Sequence, residues 1–175
     1  MKLAIATIAL ALAAAPAYSQ SAAEKTGVNS LVGAAPNTQD FVNEAASSDM
    51  FEIESSKLAL QRGNDQTKKF AQQMIDDHGK TTNELKDLVN SGKVKATLPT
   101  EMNSSQKKML ARLQKMQGND FVKRYDADQR SAHANAVDLF KRYGNGGENA
   151  SLKAWASNTR PKLEQHLQMA KELPK

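Results

Sequence analysis

The sequence predicts an all-α protein, and three observations carry that prediction. Apolar residues recur with the 3.6-residue period of a helix in four long segments, and no stretch of useful length alternates with period two. Gly and Pro are sparse, at 9 and 5 of 175 residues, and most of them stand between those segments. Aromatic residues make up only 5%, whereas Ala, Leu, Lys and Gln are plentiful, a balance that favours helix over strand.

The chain opens as a secretory signal, residues 1–19. Lys2 supplies the basic start, and Leu3 to Ala15 is an apolar run of signal length that is too short to span a bilayer. Small residues at Ala15, Ala17 and Ser19 fit cleavage after Ser19 or Ala17. The expected location is periplasmic or otherwise exported. No other apolar stretch has membrane length, so no transmembrane segment is expected in the mature chain. Residues 20–38 are polar, with Gly27, Gly33 and Pro36, and are expected to form a flexible leader.

The helical domain is expected over residues 39–173. Helix one runs from about Gln39, behind the cap-type Asn37 and Thr38, to Arg62, and stops at Gly63-Asn64-Asp65. Phe41, Val42, Ala45, Ile53, Ala59 and Leu60 share its apolar face, with Asp49, Glu52 and Ser56 set among them. Helix two runs from about Asp65 to Asn90, with Phe70, Ala71, Met74, Leu85, Leu88 and Val89 on one face and His78 near its middle. Ser91-Gly92 ends it. A long connection follows, broken at Thr97-Leu98-Pro99-Thr100, with a short amphipathic helix around Met109, Leu110, Leu113 and Met116. Helix three spans about Asp120 to Tyr143, with Phe121, Val122, Tyr125, Ala136, Leu139 and Phe140 on one face, Gln129 inside it and His133 toward its edge. Gly144-Asn145-Gly146-Gly147 stops it. Helix four spans about Glu148 to Leu173, with His166 central on its face and Pro161 expected to bend or divide it.

Four long helices joined by a short, a long and a short connection give the pattern of a ferritin-like four-helix bundle, with a long crossover carrying a short extra helix between helices two and three. The crossover lets helix three run in the same direction as helix two. His78 and His133 then both lie about 14 residues, roughly 20 Å, from their helix starts. Glu52 falls at the same level, whereas His166 counts out about two turns away.

Composition narrows the chemistry. With no cysteine there is no disulfide, thiolate metal site or lipidated N-terminal Cys. Net charge is +5, or +4 without Lys2, and the basic residues are dispersed apart from Lys93, Lys95, Lys107, Lys108, Arg112 and Lys115. That stretch reads as a solvated connection, the alternative being attraction to an envelope surface or acidic protein partner. No nucleic-acid recognition motif appears. There is no Gly-x-Ser-x-Gly and no phosphate-cradling Gly-rich loop after a strand.

One inward-facing, ligand-capable side chain per helix is how bundles build metal or cofactor sites. Here these are Glu52, His78, His133 and His166. Three readings follow. The favoured one is a non-enzymatic envelope, stress-related or binding domain, in which the histidines bond to Glu52, Asp49, Tyr125 or backbone carbonyls as a buried polar core. The alternative is a transition-metal protein holding zinc, iron or copper through Glu52, His78, His133 and possible further ligation by His166. The least supported is a hydrolase-like enzyme with His78 and Asp77 or Glu52 as a general base. The ligand, the pathway and the oligomeric state stay open.

Particular runs carry a resemblance. Phe51-Glu52-Ile53-Glu54 with Lys57-Leu58-Ala59-Leu60, then Phe70-Ala71-Gln72-Gln73-Met74-Ile75-Asp76-Asp77-His78, resemble domain-of-unknown-function family 4142. So do Phe121 with Tyr125, His133, and the Pro161-x-Leu163-x-x-His166-Leu167 ending. Members of this family are often labelled exported or outer-membrane proteins. The resemblance covers about Asp40 to Leu173 and implies a ferritin-like helical fold outside the cytoplasm, with no established activity. Where the family has Phe-Asp, this chain has Phe121-Val122. Ferritin-like di-iron enzymes use Glu-x-x-His on two helices. Here Ile75, Arg130 and Leu163 stand three residues before the histidines, which disfavours a standard di-iron oxidase.

Overall fold

The computed structural model describes Ser21 and residues 28–173, so the expected signal segment lies outside the described residues. Those residues form α1 (Val28–Leu31), α2 (Thr38–Arg62), α3 (Asp65–Asn90), α4 (Ser104–Gln114), α5 (Gly118–Gly146) and α6 (Ala150–Glu172), and no strand. Helices α2, α3, α5 and α6 are the four expected long ones, and α4 is the short helix of the crossover.

Four of these helices start in the same way. Asn37, Asn64, Asn103 and Asn149 each sit in extended backbone, and each side-chain oxygen accepts from the amide three residues on, at 2.8–2.9 Å. This satisfies one of the amides that a helix start leaves without a partner. Replacing Asn64 by Ala is expected to cost about 1 kcal/mol in urea unfolding, with α3 the segment that loses amide protection. The α2–α3 turn also needs Gly63, where a Cβ would stand 2.7 Å from the Ala59 carbonyl oxygen. At the far end of α4, Arg62 donates to the carbonyls of Leu113, Gln114 and Met116 at 2.9–3.2 Å, and so closes the crossover onto α2.

Side-chain pairs fix the topology. Thr38 meets Tyr143, Phe41 meets Phe140, and Ser56 meets Tyr125, so α5 runs antiparallel to α2 and therefore parallel to α3. Gln66 meets Glu172 and Glu84 meets Trp155, so α6 is antiparallel to α3. This is the ferritin-like crossover arrangement. Part of the expected leader is docked on it: Ser30 Oγ donates to Asp138 at 2.9 Å, and Arg142 donates to the Ala34 carbonyl at 2.8 Å.

Helix α6 passes through Pro161 as one helix, without the expected division. Proline removes the amide that would bond the Ser157 carbonyl. Ser157 and Pro161 are both exposed, so water can take that carbonyl.

The core falls into two apolar parts. One is built around Phe41, Leu85, Phe140, Tyr143 and Leu152, with Phe41 stacked on Tyr143 at 4.2 Å between centroids. The other is built around Phe51, Phe70, Met74, Leu113, Phe121 and Tyr125. Between them, halfway along the bundle, lies a buried polar layer of Asp49, Glu52, Asp77, His78, Gln129, His133 and His166.

Candidate metal centre

Each long helix sends one or more polar side chains into this layer, because each carries a polar residue at a position whose periodicity is apolar. The three imidazoles form a near-equilateral triangle, with all three centroid separations 5.5 Å. All three are 1–2% exposed. One nitrogen of each lies within 4.8 Å of one nitrogen of each of the others. His166, expected about two turns off level, is in the same layer as His78 and His133.

One nitrogen of every ring is held from behind. Asp49 Oδ1 lies 2.7 Å from His78 Nδ1, the Gln129 carbonyl accepts from His133 Nδ1 at 2.9 Å, and Asp77 Oδ2 lies 2.9 Å from His166 Nε2. A carbonyl or carboxylate accepts, so each of these nitrogens carries the proton and fixes the tautomer. What is left is Nε2 of His78, Nε2 of His133 and Nδ1 of His166. The first two are 3.4 Å apart. The third is buried and has no hydrogen-bond partner. In neutral imidazoles these are three lone pairs.

Both orienting carboxylates are themselves held. Thr81 and Thr82 hydroxyls donate to Asp49 Oδ2 at 2.9 and 3.0 Å, and Gln73 donates to Asp77 Oδ2 at 2.6 Å. A histidine that gives its rear N–H to a carboxylate or carbonyl has its ring oriented and its free nitrogen made more basic, which is how metal-binding histidines are commonly supported. The sequence places Asp77 beside His78 as a candidate base partner. The fold instead turns it toward α6 and gives it to His166, while His78 takes Asp49.

Glu52 is as buried as the rings, but it stands outside the imidazole group. Its closest approach is Oε1 to His133 Nδ1 at 4.0 Å, on the side of the ring already committed to the Gln129 carbonyl. Neither Glu52 oxygen has a hydrogen-bond partner. Of the four residues grouped from the sequence, His78, His133 and His166 lie within mutual ligand reach, and Glu52 stands on the Nδ1 side of His133.

The electrostatics follow from burial. Burial raises the Glu52 carboxyl to about 7, against the opposing pull of the His78 charge and the nearby Gln129 side chain. Burial also acts to lower His78, but the hydrogen bond and charge of Asp49, with Glu52 and Asp77, outweigh it and raise its pKa. Burial and the His78 charge drive His133 well below its ordinary value. Burial lowers His166 to about 4 despite its bond to Asp77. In the metal-free protein a protonated His78 can donate from Nε2 to the neutral Nε2 of His133, a single proton occupying the gap between two lone pairs.

The ring nitrogens suit a transition metal. Tetrahedral sites with metal–nitrogen bonds of about 2.0–2.1 Å separate their ligand nitrogens by roughly 3.3 Å. The His78–His133 pair already stands at 3.4 Å, so His166 is the ring that has to close in. Imidazole-only donors suit zinc, copper, iron or nickel and give no reason to expect calcium or magnesium.

Among solved structures the bundle is similar to CopM in the Cu(II)-bound form, with a TM-score of 0.65 at 18% identity. The match covers 79% of this chain and 95% of that one. No curated protein matches the chain in sequence. No helix among the described residues is long and apolar enough to cross a membrane. A domain of unknown function, DUF4142, matches residues 20–173, and the chain belongs to that family.

Proposed function

We propose that this protein is an exported, non-enzymatic metal-binding bundle. It holds one transition-metal ion, copper before zinc, through His78 Nε2, His133 Nε2 and His166 Nδ1. The observation that carries this reading is the division of labour on the three rings: each has one nitrogen committed to an orienting acceptor, the second nitrogens of His78 and His133 face each other at 3.4 Å, and all three rings bring a nitrogen within 4.8 Å of the others. His166 Nδ1 is buried without a hydrogen-bond partner, and such an orphan costs about 1–3 kcal/mol, so a core that keeps it beside two other imidazoles has a reason to. A cation is the partner that three lone pairs share. Asp49 and Asp77 supply two negative charges directly behind the rings, which offsets a divalent ion. That a bundle of this fold exists in a Cu(II)-bound form supports copper as the first ion to test.

Equilibrium dialysis of purified protein against Cu(II), then against Zn(II), with elemental analysis, tests the reading. One equivalent retained after dialysis against a weak chelator is the expected result. Trace metal that does not depend on His78 would reject it. Replacing Asp49 by Asn is expected to weaken binding by about 10- to 100-fold with the fold intact, because the ring keeps a hydrogen bond but loses its charged orienting partner. Competition with a chromogenic chelator measures that loss.

A further inference from the structure

The centre is enclosed, so an ion needs a way in. Three groups back the rings: the Gln129 carbonyl, Asp49 and Asp77. Gln129 is fully buried. Asp49 is as exposed as Asp77, each side chain at 9%, but both its oxygens are committed, one to His78 and the other to the Thr81 and Thr82 hydroxyls. Asp77 differs. Its Oδ2 takes both Gln73 and His166, and its Oδ1 accepts no hydrogen bond among the described residues. Two ammonium groups hover over this carboxylate instead of bonding to it. Lys80 Nζ stands 3.6 Å from Oδ1 and Lys162 Nζ stands 3.9 Å from Oδ2. Their side chains are 72% and 49% exposed, so they are free to swing.

We infer that the metal passes between α3 and α6 at Asp77, and that Lys80 and Lys162 are an electrostatic gate over that passage. This rests on the reading of the three histidines as ligands. The partner on the outer side is a bare or weakly chelated cation. Asp77 offers it a negatively charged oxygen next to His166, and the two ammonium groups oppose its approach. They must move aside for an ion to cross in either direction, so they slow capture and release alike. Pro161 stands next to Lys162 on α6 and leaves the helix short of one backbone hydrogen bond there, which lets the segment carrying Lys162 and His166 yield.

The test compares Lys80→Gln/Lys162→Gln with a charge-matched control, Lys57→Gln/Lys141→Gln, in which the same charge is removed from exposed sites on α2 and α5. Stopped-flow mixing with Cu(II) alone measures capture, and mixing of the loaded protein with excess EDTA measures release. The gate variant is expected to speed both by about 3- to 10-fold, with an affinity change smaller than either, and to reduce the salt dependence of capture. Rates equal to those of the control, or a change in capture matched by an opposite change in release, would overturn the gate while leaving the site reading in place. Failure of the wild-type protein to retain copper in dialysis would overturn both.

Discussion

Replacing His133 by Leu is expected to lower copper affinity by about two to three orders of magnitude and to leave the bundle folded. The substitution removes one of three converging nitrogens and leaves two, which cannot enclose an ion. The side chain it introduces suits the site, because His133 lies 1% exposed beside the Phe70 ring, with centroids 6.1 Å apart. The Gln129 carbonyl that loses the imidazole N–H keeps its backbone partner within α5. Thermal unfolding reads the difference. At copper a hundredfold above its dissociation constant, the wild-type protein should gain about 2.7 kcal/mol, or roughly 5–10 °C for a domain of this size. The variant should gain no more than about 0.4 kcal/mol at that concentration, a shift of roughly 1–2 °C or less. An equal shift in the variant would place the ion elsewhere.

The second large effect concerns Glu52 in the metal-free protein. Its folded pKa of about 7 stands above the ordinary 4.5 because burial disfavours the charge. Between those two values the folded chain holds a proton that the unfolded chain has lost. This group's contribution to stability therefore falls as pH rises through that window, and at pH 8 the full cost is present. Glu52→Gln is expected to stabilise the protein by about 2–3 kcal/mol at pH 8 and by well under 1 kcal/mol at pH 5, where the wild-type carboxyl is already protonated. His133 and His166 carry the opposite trend. Their folded values are depressed, so they cost stability as pH falls below about 6.5, and the substitution leaves that acid arm in place. Urea unfolding of both proteins in EDTA at the two pH values measures this. A stabilisation equal at both, or a loss at pH 8, would mean that the carboxylate is satisfied in the folded protein. Copper affinity should fall far less than in His133→Leu, since Glu52 lies on the far side of the His133 ring.

Much of this architecture is legible in the chain itself. The four helices, the short α4 and the direction of α5 follow from apolar periodicity, from the Gly-Asn stops and from the length of the middle connection. The inward placement of His78, His133, His166 and Glu52 follows from the same periodicity. What resists sequence reading is the axial register. Tyr143 followed by Gly144-Asn145-Gly146-Gly147 suggests a helix end at Tyr143, yet α5 continues to Gly146 and α6 starts only at Ala150. With those ends, His133 lies 13 residues before the turn and His166 lies 16 after it, and the apparent two-turn offset shrinks to less than one turn. Pro161 misleads for a related reason: a proline on a solvent-facing surface lets water replace the missing bond, and the helix continues. The pairing of Asp49 with His78 and of Asp77 with His166 is invisible to periodicity, because it depends on which neighbouring helix each carboxylate faces. Asp77, adjacent to His78 in sequence, serves a ring on another helix.

Pulsed EPR of the purified protein with one equivalent of Cu(II) is the most direct measurement of the central claim, because it counts the imidazoles coupled to the ion. The expected spectrum shows the rear nitrogens of three histidine rings in the wild-type protein and loses that signature in His133→Leu. A copper signal without imidazole coupling, or one unchanged by the substitution, would contradict the assignment of His78, His133 and His166 as a metal centre.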